Sequence, residues 1–352
     1  MLTMHTIISL PENIKTTTNL EFENESVLNP GIISEGDSVH IFYRAVQQGN
    51  HSCIGYCRSD GPLTLTERWD KPLVVPEFEY ESQGIEDPRI VKIDDLYYLT
   101  YTAYDGINAQ GALALSSDMK NFEKLGIIVP PFSYARFAYL LEYSDRVNDK
   151  YYRNHNFYYQ QKDKCKEKGT FLWDKDLIFF PRRINGKLCF LHRIRPGIQI
   201  AAINDIKELT KRFWKRYCKN FKKYVVMDPC NNKHESKYIG GGCPPVETAH
   251  GWLFIYHGVE ETEKGLVYSA CAALLDLDDP SIVKARLPYT LFTPELEWEL
   301  NGKVNNVVFP NGTSLFGDIL YIYYGAADEQ IACASLNLPE LMDELLLYAT
   351  HN

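Results

Sequence analysis

The chain has 352 residues, with 37 Lys and Arg against 46 Asp and Glu, which gives a formal net charge of −9. This length allows a large buried core, and the acidic balance argues against general nucleic-acid binding. No run of about 18 apolar residues occurs, which excludes a membrane-spanning helix. Nine scattered cysteines form no Cys-x-x-Cys pair, so we expect neither a zinc site nor a disulfide framework. The first residues lack a secretion signal, and we therefore predict a cytoplasmic protein.

Five short segments share one pattern, a strand of apolar and aromatic residues that ends in a small or polar pair. Each follows a turn signal such as Gly36-Asp37 or Asn185-Gly186. The segments are Val39–Ala45, Tyr97–Ala103, Leu188–Ile194, Leu253–Val259 and Leu320–Ala326. With one insertion allowed, the repeat of roughly 60–70 residues predicts an all-β fold, a five-bladed β-propeller that occupies residues 1–352 as a single domain. The competing interpretation is a β-sandwich followed by a second domain.

The segment Gly84–Ile90 precedes one of these strands and carries three charged residues. Because Pro88 disfavours the helical region for the residue before it, we predict an extended Asp87. Alternation along an extended chain would place Asp87 and Arg89 on one face and Glu86 on the other. Such a pair would hold an acid and an anion-binding group over a pocket. The alternative is that Asp-Pro only begins a turn, in which Arg89 pairs with the aspartate.

Three further segments differ from the repeat. Asp145–Gly169, at about residues 145–170, is polar and lacks periodicity, which predicts a helical or loop insertion over one face. Ile206–Tyr224 is rich in Lys and Arg, and its aromatic residues Phe213 and Phe221 have helical spacing, which predicts an amphipathic surface helix with a solvated basic face. Leu338–Tyr348 predicts a short amphipathic helix at the end of the chain.

Polar residues at the ends of the predicted strands are the candidates for chemistry, because propellers bind ligands where their innermost strands converge. These candidates are Arg44, Asp87, Arg89, Lys175, His192, Arg193, Tyr238, His257, Tyr268 and Asp328. A basic cluster opposite an acid suits a reaction in which an anion attacks and the acid protonates a leaving oxygen. Each residue also has a possible structural role, so the residue types alone leave the function open.

Several motifs together resemble glycoside hydrolase family 130, which contains β-mannoside phosphorylases and β-1,2-mannosidases. They are Gly84–Ile90, Asp176–Pro181 with Arg183–Lys187, Ile239–Pro245 with Gly251–Gly258, and Tyr324–Asp328. The resemblance extends in order from about Asn29 to Asp328. It implies a five-bladed propeller with a central active site and a β-mannoside or manno-oligosaccharide substrate. It implies no cofactor and no metal, with inorganic phosphate as the co-substrate of a phosphorylase.

The resemblance also implies roles for individual residues. Asp87 matches the general acid, which in this family is thought to protonate the glycosidic oxygen through the 3-hydroxyl of the bound mannose. Arg44 and Asp328 match positions that contact the sugar, and Arg89 beside the acid is a further substrate-binding candidate. The phosphate-binding set falls on Lys175, Arg193, Tyr238, His257 and Tyr268. Arg89 should lower the pKa of Asp87, because a nearby positive charge stabilises a carboxylate.

Two departures from the family pattern keep hydrolysis open as an alternative. Tyr238 stands where phosphorylases of the family carry lysine, and Lys175 stands where arginine is common. An inverting β-mannosidase would need a second carboxylate roughly 6.5–9.5 Å from the acid. The candidates are Glu235 and Glu247, whose structural alternatives are a solvated loop residue and an exposed, paired strand residue. A non-catalytic sugar-binding propeller is a second alternative, and a homo-oligomer is possible with any of these functions.

Overall fold

The computed structural model describes residues 5–9, 18–152, 170–230 and 233–349, and most of the regular structure among them is β-strand. The strands are β1 (His5–Ser9), β2 (Ser26–Glu35), β3 (Ser38–Gln47), β4 (His51–Asp60), β5 (Thr64–Arg68), β6 (Gly84–Ile93), β7 (Leu96–Tyr104), β8 (Ala109–Ser116), β9 (Glu123–Ile127), β10 (Lys175–Phe179), β11 (Leu188–Arg193), β12 (Ile198–Ile203), β13 (Val225–Met227), β14 (Tyr238–Gly241), β15 (Val246–Thr248), β16 (Gly251–Thr262), β17 (Gly265–Leu275), β18 (Val283–Arg286), β19 (Val308–Phe316), β20 (Ile319–Ala326) and β21 (Gln330–Asn337). The α-helices are α1 (Tyr134–Leu141), α2 (Lys211–Lys219), α3 (Glu297–Leu300) and α4 (Leu338–Leu347). The predicted all-β class is confirmed.

The strands form successive antiparallel groups along the chain. One sheet has the order β10-β11-β12-β13, and the next has the order β14-β16-β17-β18, with β15 also pairing with β16. The largest sheet contains two groups, β2–β5 and β6–β9, which a parallel pair between Ser52 and Gly84 joins. The last sheet has the order β1-β21-β20-β19, so both ends of the chain enter it. Each of the five segments predicted from the repeat is a strand, in order β3, β7, β11, β16 and β20.

A bulge interrupts the first strand of three groups at a corresponding place. The register shifts in β2, β6 and β10, where Asn29, Asp87 and Asp176 have φ angles of 49°, 51° and 52°. Asn and Asp tolerate this left-handed conformation better than most residues. The prediction of an extended Asp87 is therefore wrong, and strict alternation from Glu86 to Arg89 fails with it, because a bulge re-aims the side chains around it.

The predicted helix over Ile206–Tyr224 is shorter in the structure. A single turn at Ile206–Glu208 precedes α2, whose first turn is capped by the Thr210 hydroxyl accepting a hydrogen bond from the Phe213 amide at 3.3 Å. The buried side chains of α2 and the turn after it, including Trp214 and Phe221, pack in the core against α1. The predicted C-terminal helix is confirmed as α4.

The predicted insertion falls largely outside the described residues, which omit 153–169. Among the residues that the structure does describe, no helix is both long and apolar enough to cross a bilayer. The apolar core lies between neighbouring sheets. Trp252 of β16, for example, packs edge-on against Phe180 with ring centroids 5.2 Å apart. This packing fixes the strands whose ends carry the polar site.

Candidate active site

A cavity of about 170 Å³ lies where residues of several strand groups meet. Its lining residues are Asn29, Arg44, Asp87, Lys175, Asp176, Arg193, Arg195, Tyr238, Tyr268, Val304, Val307, Phe309 and Asp328. The cavity therefore brings together most of the residues predicted from the sequence, which were far apart along the chain. Five predicted residues do not line it, namely Arg89, His192, His257, Glu235 and Glu247. His192 is fully buried, with its ring nitrogens 2.8 Å from Asp174 Oδ2 and from the Tyr217 hydroxyl.

Asp87 is the acid at the centre of the lining. Its Oδ1 accepts a hydrogen bond from Asn29 Nδ2 at 2.7 Å, and its two oxygens lie 3.7 Å from Arg44 Nη1 and 3.8 Å from Lys175 Nζ. Burial alone would raise its pKa, but the charges of Lys175, Arg44 and Arg89 and the bond from Asn29 lower the pKa to about 2. The predicted effect of Arg89 is confirmed, although Lys175 and Arg44 have larger effects. Asp87 is therefore ionised at neutral pH when no ligand is bound.

Glu86 is a site-adjacent residue that the sequence analysis placed on the wrong face. Its Oε1 accepts a hydrogen bond from Arg44 Nη2 at 2.8 Å, and its Oε2 accepts one from Lys175 Nζ at 3.2 Å. The same two cations thus contact both Glu86 and Asp87. This arrangement follows from the bulge, which no alternation pattern in the sequence reveals.

The wall next to the acid carries cations and phenols. Burial lowers the pKa of Lys175, but Glu86 and Asp87 outweigh burial and raise it, so the ammonium group stays charged. Arg193 Nε lies 3.0 Å from Asp176 Oδ2, and the Tyr238 and Tyr268 hydroxyl oxygens lie 2.6 Å apart. Burial would raise the pKa of Asp176, but Arg193 heads the positive charges that lower it. Charged groups and hydroxyl donors on one wall suit a bound oxyanion.

A sequence profile of the family described as beta-1,4-mannooligosaccharide phosphorylase matches residues 5–346. The chain belongs to glycoside hydrolase family 130. It is 33% identical over 332 residues to a 1,2-beta-oligomannan phosphorylase of Thermoanaerobacter sp., with 91% of this chain and 93% of the relative covered. It is also 34% identical over 330 residues to a beta-1,2-mannobiose phosphorylase of the same organism, with coverages of 89% and 91%.

A solved structure of the same family has a similar fold. The beta-1,2-mannobiose phosphorylase of Listeria innocua, in complex with beta-1,2-mannobiose, superposes with a TM-score of 0.72 and 25% identity. The superposition covers 97% of this chain and 100% of that one. A fold shared over the whole length agrees with the family match.

Arg89 of this family 130 protein lies behind the cavity wall rather than in it. The side chain is 2% exposed and donates hydrogen bonds to the carbonyl oxygens of Asp87 at 2.8 Å and of Gly241 and Gly242 at 3.2 Å. It thereby ties the bulge of β6 to the end of β14. The structure places Arg89 where it positions Asp87, and not where it would touch a substrate in the cavity.

His257 also lies behind the wall and is fully buried. Its Nε2 is 3.4 Å from Arg193 Nη1. The pKa of His257 is lowered to about 3, mainly by burial. The negative charge of Asp176 opposes this shift, whereas the positive charges of Arg193 and Arg89 add to it. A neutral imidazole can accept a hydrogen bond from Arg193, so His257 supports an arginine of the cavity wall.

Glu235 and Glu247 are both engaged elsewhere. Glu235 is fully buried, lies 2.6 Å from Arg286 Nη2 and accepts a hydrogen bond from the Tyr256 hydroxyl at 2.8 Å. The interpretation of Glu235 as a solvated loop residue is wrong. Glu247 is exposed and accepts two hydrogen bonds from Arg182, at 2.7 and 2.8 Å, which confirms the exposed, paired alternative. The structure brings neither carboxylate to the cavity of Asp87.

One group among the described residues has the donor types of a metal site, namely His234, Glu235 and Cys271. Arg286 already neutralises the Glu235 carboxylate at 2.6 Å. Since a bound cation would have to compete with this guanidinium, the donor set does not favour a metal.

Arg195 is a lining residue that the sequence analysis missed. Its Nη2 donates a hydrogen bond to the Tyr238 hydroxyl at 2.9 Å, and its Cζ lies 3.9 Å from the centroid of the Tyr238 ring. Arg195 lies in the turn after β11, where strand alternation gives no signal for the direction of a side chain.

Proposed function

We propose that this family 130 protein is a β-mannoside phosphorylase. The observation that carries the proposal is that Asp87 shares one cavity with the charged side chains of Lys175 and Arg193. A proton donor beside an oxyanion site is the arrangement that phosphorolysis needs. The names of the relatives, which are phosphorylases of β-mannosides, support the same function.

In the proposed reaction, an oxygen of inorganic phosphate forms a bond to the anomeric carbon of a mannosyl unit while the glycosidic bond to the leaving sugar breaks. The leaving oxygen takes a proton that Asp87 supplies, directly or through the 3-hydroxyl of the mannose. The configuration inverts, and the products are α-mannose 1-phosphate and a saccharide that is shorter by one mannose. Arg44 and Asp328 would hold the mannosyl unit.

Phosphate would bind at Lys175, Arg193, Tyr238 and Tyr268, with His257 supporting Arg193 from behind. This placement would also address the low pKa of Asp87. Among the positive charges, Lys175 lowers that pKa the most, and a phosphate anion beside Lys175 offsets its charge. The pKa of Asp87 then rises towards a range in which the carboxyl group can carry the proton it must donate.

Hydrolysis has less support from the geometry. An inverting hydrolase needs a carboxylate that activates water across the sugar from the acid. Glu235 and Glu247, the two candidates from the sequence, are bound to Arg286 and Arg182 and do not line the cavity.

The proposal is tested by incubating the protein with β-1,2- and β-1,4-mannobiose, each with and without inorganic phosphate. Both relatives described above are named for 1,2-linked substrates, which makes β-1,2-mannobiose the first choice. We expect mannose 1-phosphate to form and turnover to require phosphate. Equal turnover without phosphate would identify a hydrolase, whereas sugar binding without turnover would identify a non-catalytic propeller.

We also infer that the five strand groups are the blades of a five-bladed β-propeller that forms a single domain over residues 1–352. The pairing of β1 with β21 supports this, because closing a ring of sheets requires a link between the two ends of the chain. A single calorimetric unfolding transition is expected, and two separate transitions would contradict one domain.

The cellular setting and assembly stay predictions. We propose a cytoplasmic enzyme that needs no metal or cofactor, with phosphate as its co-substrate, and we expect turnover to persist in EDTA. A monomer and a homo-oligomer both stay open, and the mass measured by light scattering distinguishes them.

A further inference from the structure

We propose that Arg195 is a direct ligand of the phosphate and forms a two-arginine clamp with Arg193 across the ring of Tyr238. This inference rests on the proposed phosphorolysis and names a binding residue that the motifs did not reveal. Removing Arg195 would therefore weaken phosphate binding far more than binding of the mannoside.

The geometry around Tyr238 is the first support. The guanidinium carbons of Arg193 and Arg195 lie 5.3 and 3.9 Å from the centre of the same ring. Arg195 Nη2 also donates to the Tyr238 hydroxyl, which lies 2.6 Å from the hydroxyl of Tyr268. Planar guanidinium groups are suited to bind an oxyanion with paired hydrogen bonds, and both of these groups lie at the ring of one cavity-lining tyrosine.

The charge balance of the cavity is the second support. The charged lining residues are four cations, Arg44, Lys175, Arg193 and Arg195, and three acids, Asp87, Asp176 and Asp328. Behind the wall, Arg89 and Glu86 add one charge of each sign. Arg195 is one of these four cations, and an anion that leaves water needs charged donors of this kind.

The position of Arg195 relative to the surface is the third support. Arg195 and Tyr238 also line a neighbouring cavity of about 220 Å³, together with Lys150 and Lys237. Lys150 Nζ lies there 2.6 Å from the Ser236 carbonyl oxygen, so its ammonium group is held at that cavity. An anion that approaches through this second cavity meets Arg195 at the boundary with the central one.

The test compares Arg195→Gln and Arg195→Lys with the unaltered enzyme. Steady-state kinetics would give the KM for phosphate and the KM for β-1,2-mannobiose separately. We expect Arg195→Gln to raise the KM for phosphate by roughly 10- to 100-fold, because a charge-assisted hydrogen bond is lost, with little change in the KM for the mannoside. Arg195→Lys keeps the positive charge but loses the paired donors of the guanidinium group. Its KM for phosphate should therefore lie between those of the unaltered enzyme and of Arg195→Gln. Arg58→Ala, which removes an arginine paired with Glu67 outside the cavity, is the matched control.

A second measurement does not depend on turnover. Inorganic phosphate should raise the unfolding temperature of the unaltered protein and of Arg58→Ala, and much less that of Arg195→Gln. Phosphorolysis with an unchanged KM for phosphate in Arg195→Gln would overturn the inference and leave the proposed function standing. An equal rise of both KM values, with a lower unfolding temperature, would show that Arg195 only supports the fold. If the unaltered protein neither uses nor binds phosphate, the proposed function itself fails.

Discussion

Replacing Asp87 by asparagine is predicted to have two effects of opposite sign, a large loss of turnover and a tighter complex with phosphate. The side chain keeps its size, and its amide oxygen can still accept the hydrogen bond from Asn29. The variant cannot supply a proton, however, and it no longer offsets the charges of Arg44 and Lys175, which lie 3.7 and 3.8 Å from the carboxylate.

The two magnitudes follow from different parts of the site. Loss of a general acid typically lowers turnover by about 10²–10⁴-fold. For a separation of about 8 Å between the carboxylate and the phosphate, taken as a working value, removing one negative charge at an effective dielectric constant of about 20 favours binding by about 2 kcal/mol. That free energy corresponds to about 30-fold in the dissociation constant, and added salt should reduce it.

The assay pairs phosphorolysis of β-1,2-mannobiose with calorimetric titration of inorganic phosphate into the same protein. Glu247→Gln serves as the control, since Glu247 is exposed and bound to Arg182 outside the cavity. Both its turnover and its phosphate affinity should match those of the unaltered enzyme. An Asp87→Asn protein that keeps full turnover, or that binds phosphate more weakly while folded, would refute the assignment of the acid and the anion to one cavity.

Three further predictions concern stability and positioning. Glu235→Gln leaves Arg286 without its buried partner and should lower the free energy of unfolding by about 3–5 kcal/mol, measured in urea. Burial and the charge of Asp87 raise the pKa of Asp328 to about 6, so its contribution to stability is complete below pH 3.8 and is lost as the pH rises through about 6. The unfolding temperature of Asp328→Asn should therefore depend less on pH across that window than the unfolding temperature of the unaltered protein. Gly325→Ala would place a methyl group on Asn29 Oδ1 and, by displacing Asp87, should lower turnover about 10²-fold.

Each of these has a clear contrary result. Unchanged urea unfolding of Glu235→Gln would show that the pair with Arg286 contributes nothing. An Asp328→Asn protein with the same pH dependence as the unaltered one would remove Asp328 as its source. Full activity of Gly325→Ala would show that Asn29 does not position the acid.

The strands were predictable because their signal is local. Five stretches of apolar and aromatic residues, each after a tight turn, became β3, β7, β11, β16 and β20. The bulge at Asp87 was not predictable in the same way. Pro88 disfavours only the right-handed helical region for the residue before it, which leaves the left-handed conformation available. Which conformation is adopted depends on pairing with β7, where the register shifts between Glu86 and Arg89.

The sequence predicted most residues of the candidate site, but not which of them line the cavity and which lie behind its wall. Motifs spread along the chain named Asp87 and Lys175, which the fold brings into one cavity. They also named His257, which lies one layer further in, because a motif specifies a position on a strand and not the direction of its side chain. Glu235 shows the same limit. Its buried role is set by Arg286, which lies 51 residues away in sequence.

The pairing of β1 with β21 has a consequence for how the chain matures on the ribosome. His5 pairs with Ser335, so β1 emerges about 330 residues before its partner strand is made. At about 5–20 residues per second, bacterial or eukaryotic translation leaves that edge open for roughly 15–65 seconds. During this interval the earlier sheets can fold, but β1 has no partner strand. Newly made protein should therefore depend on β21 for protease resistance, and chains released before β21 is made should be degraded first.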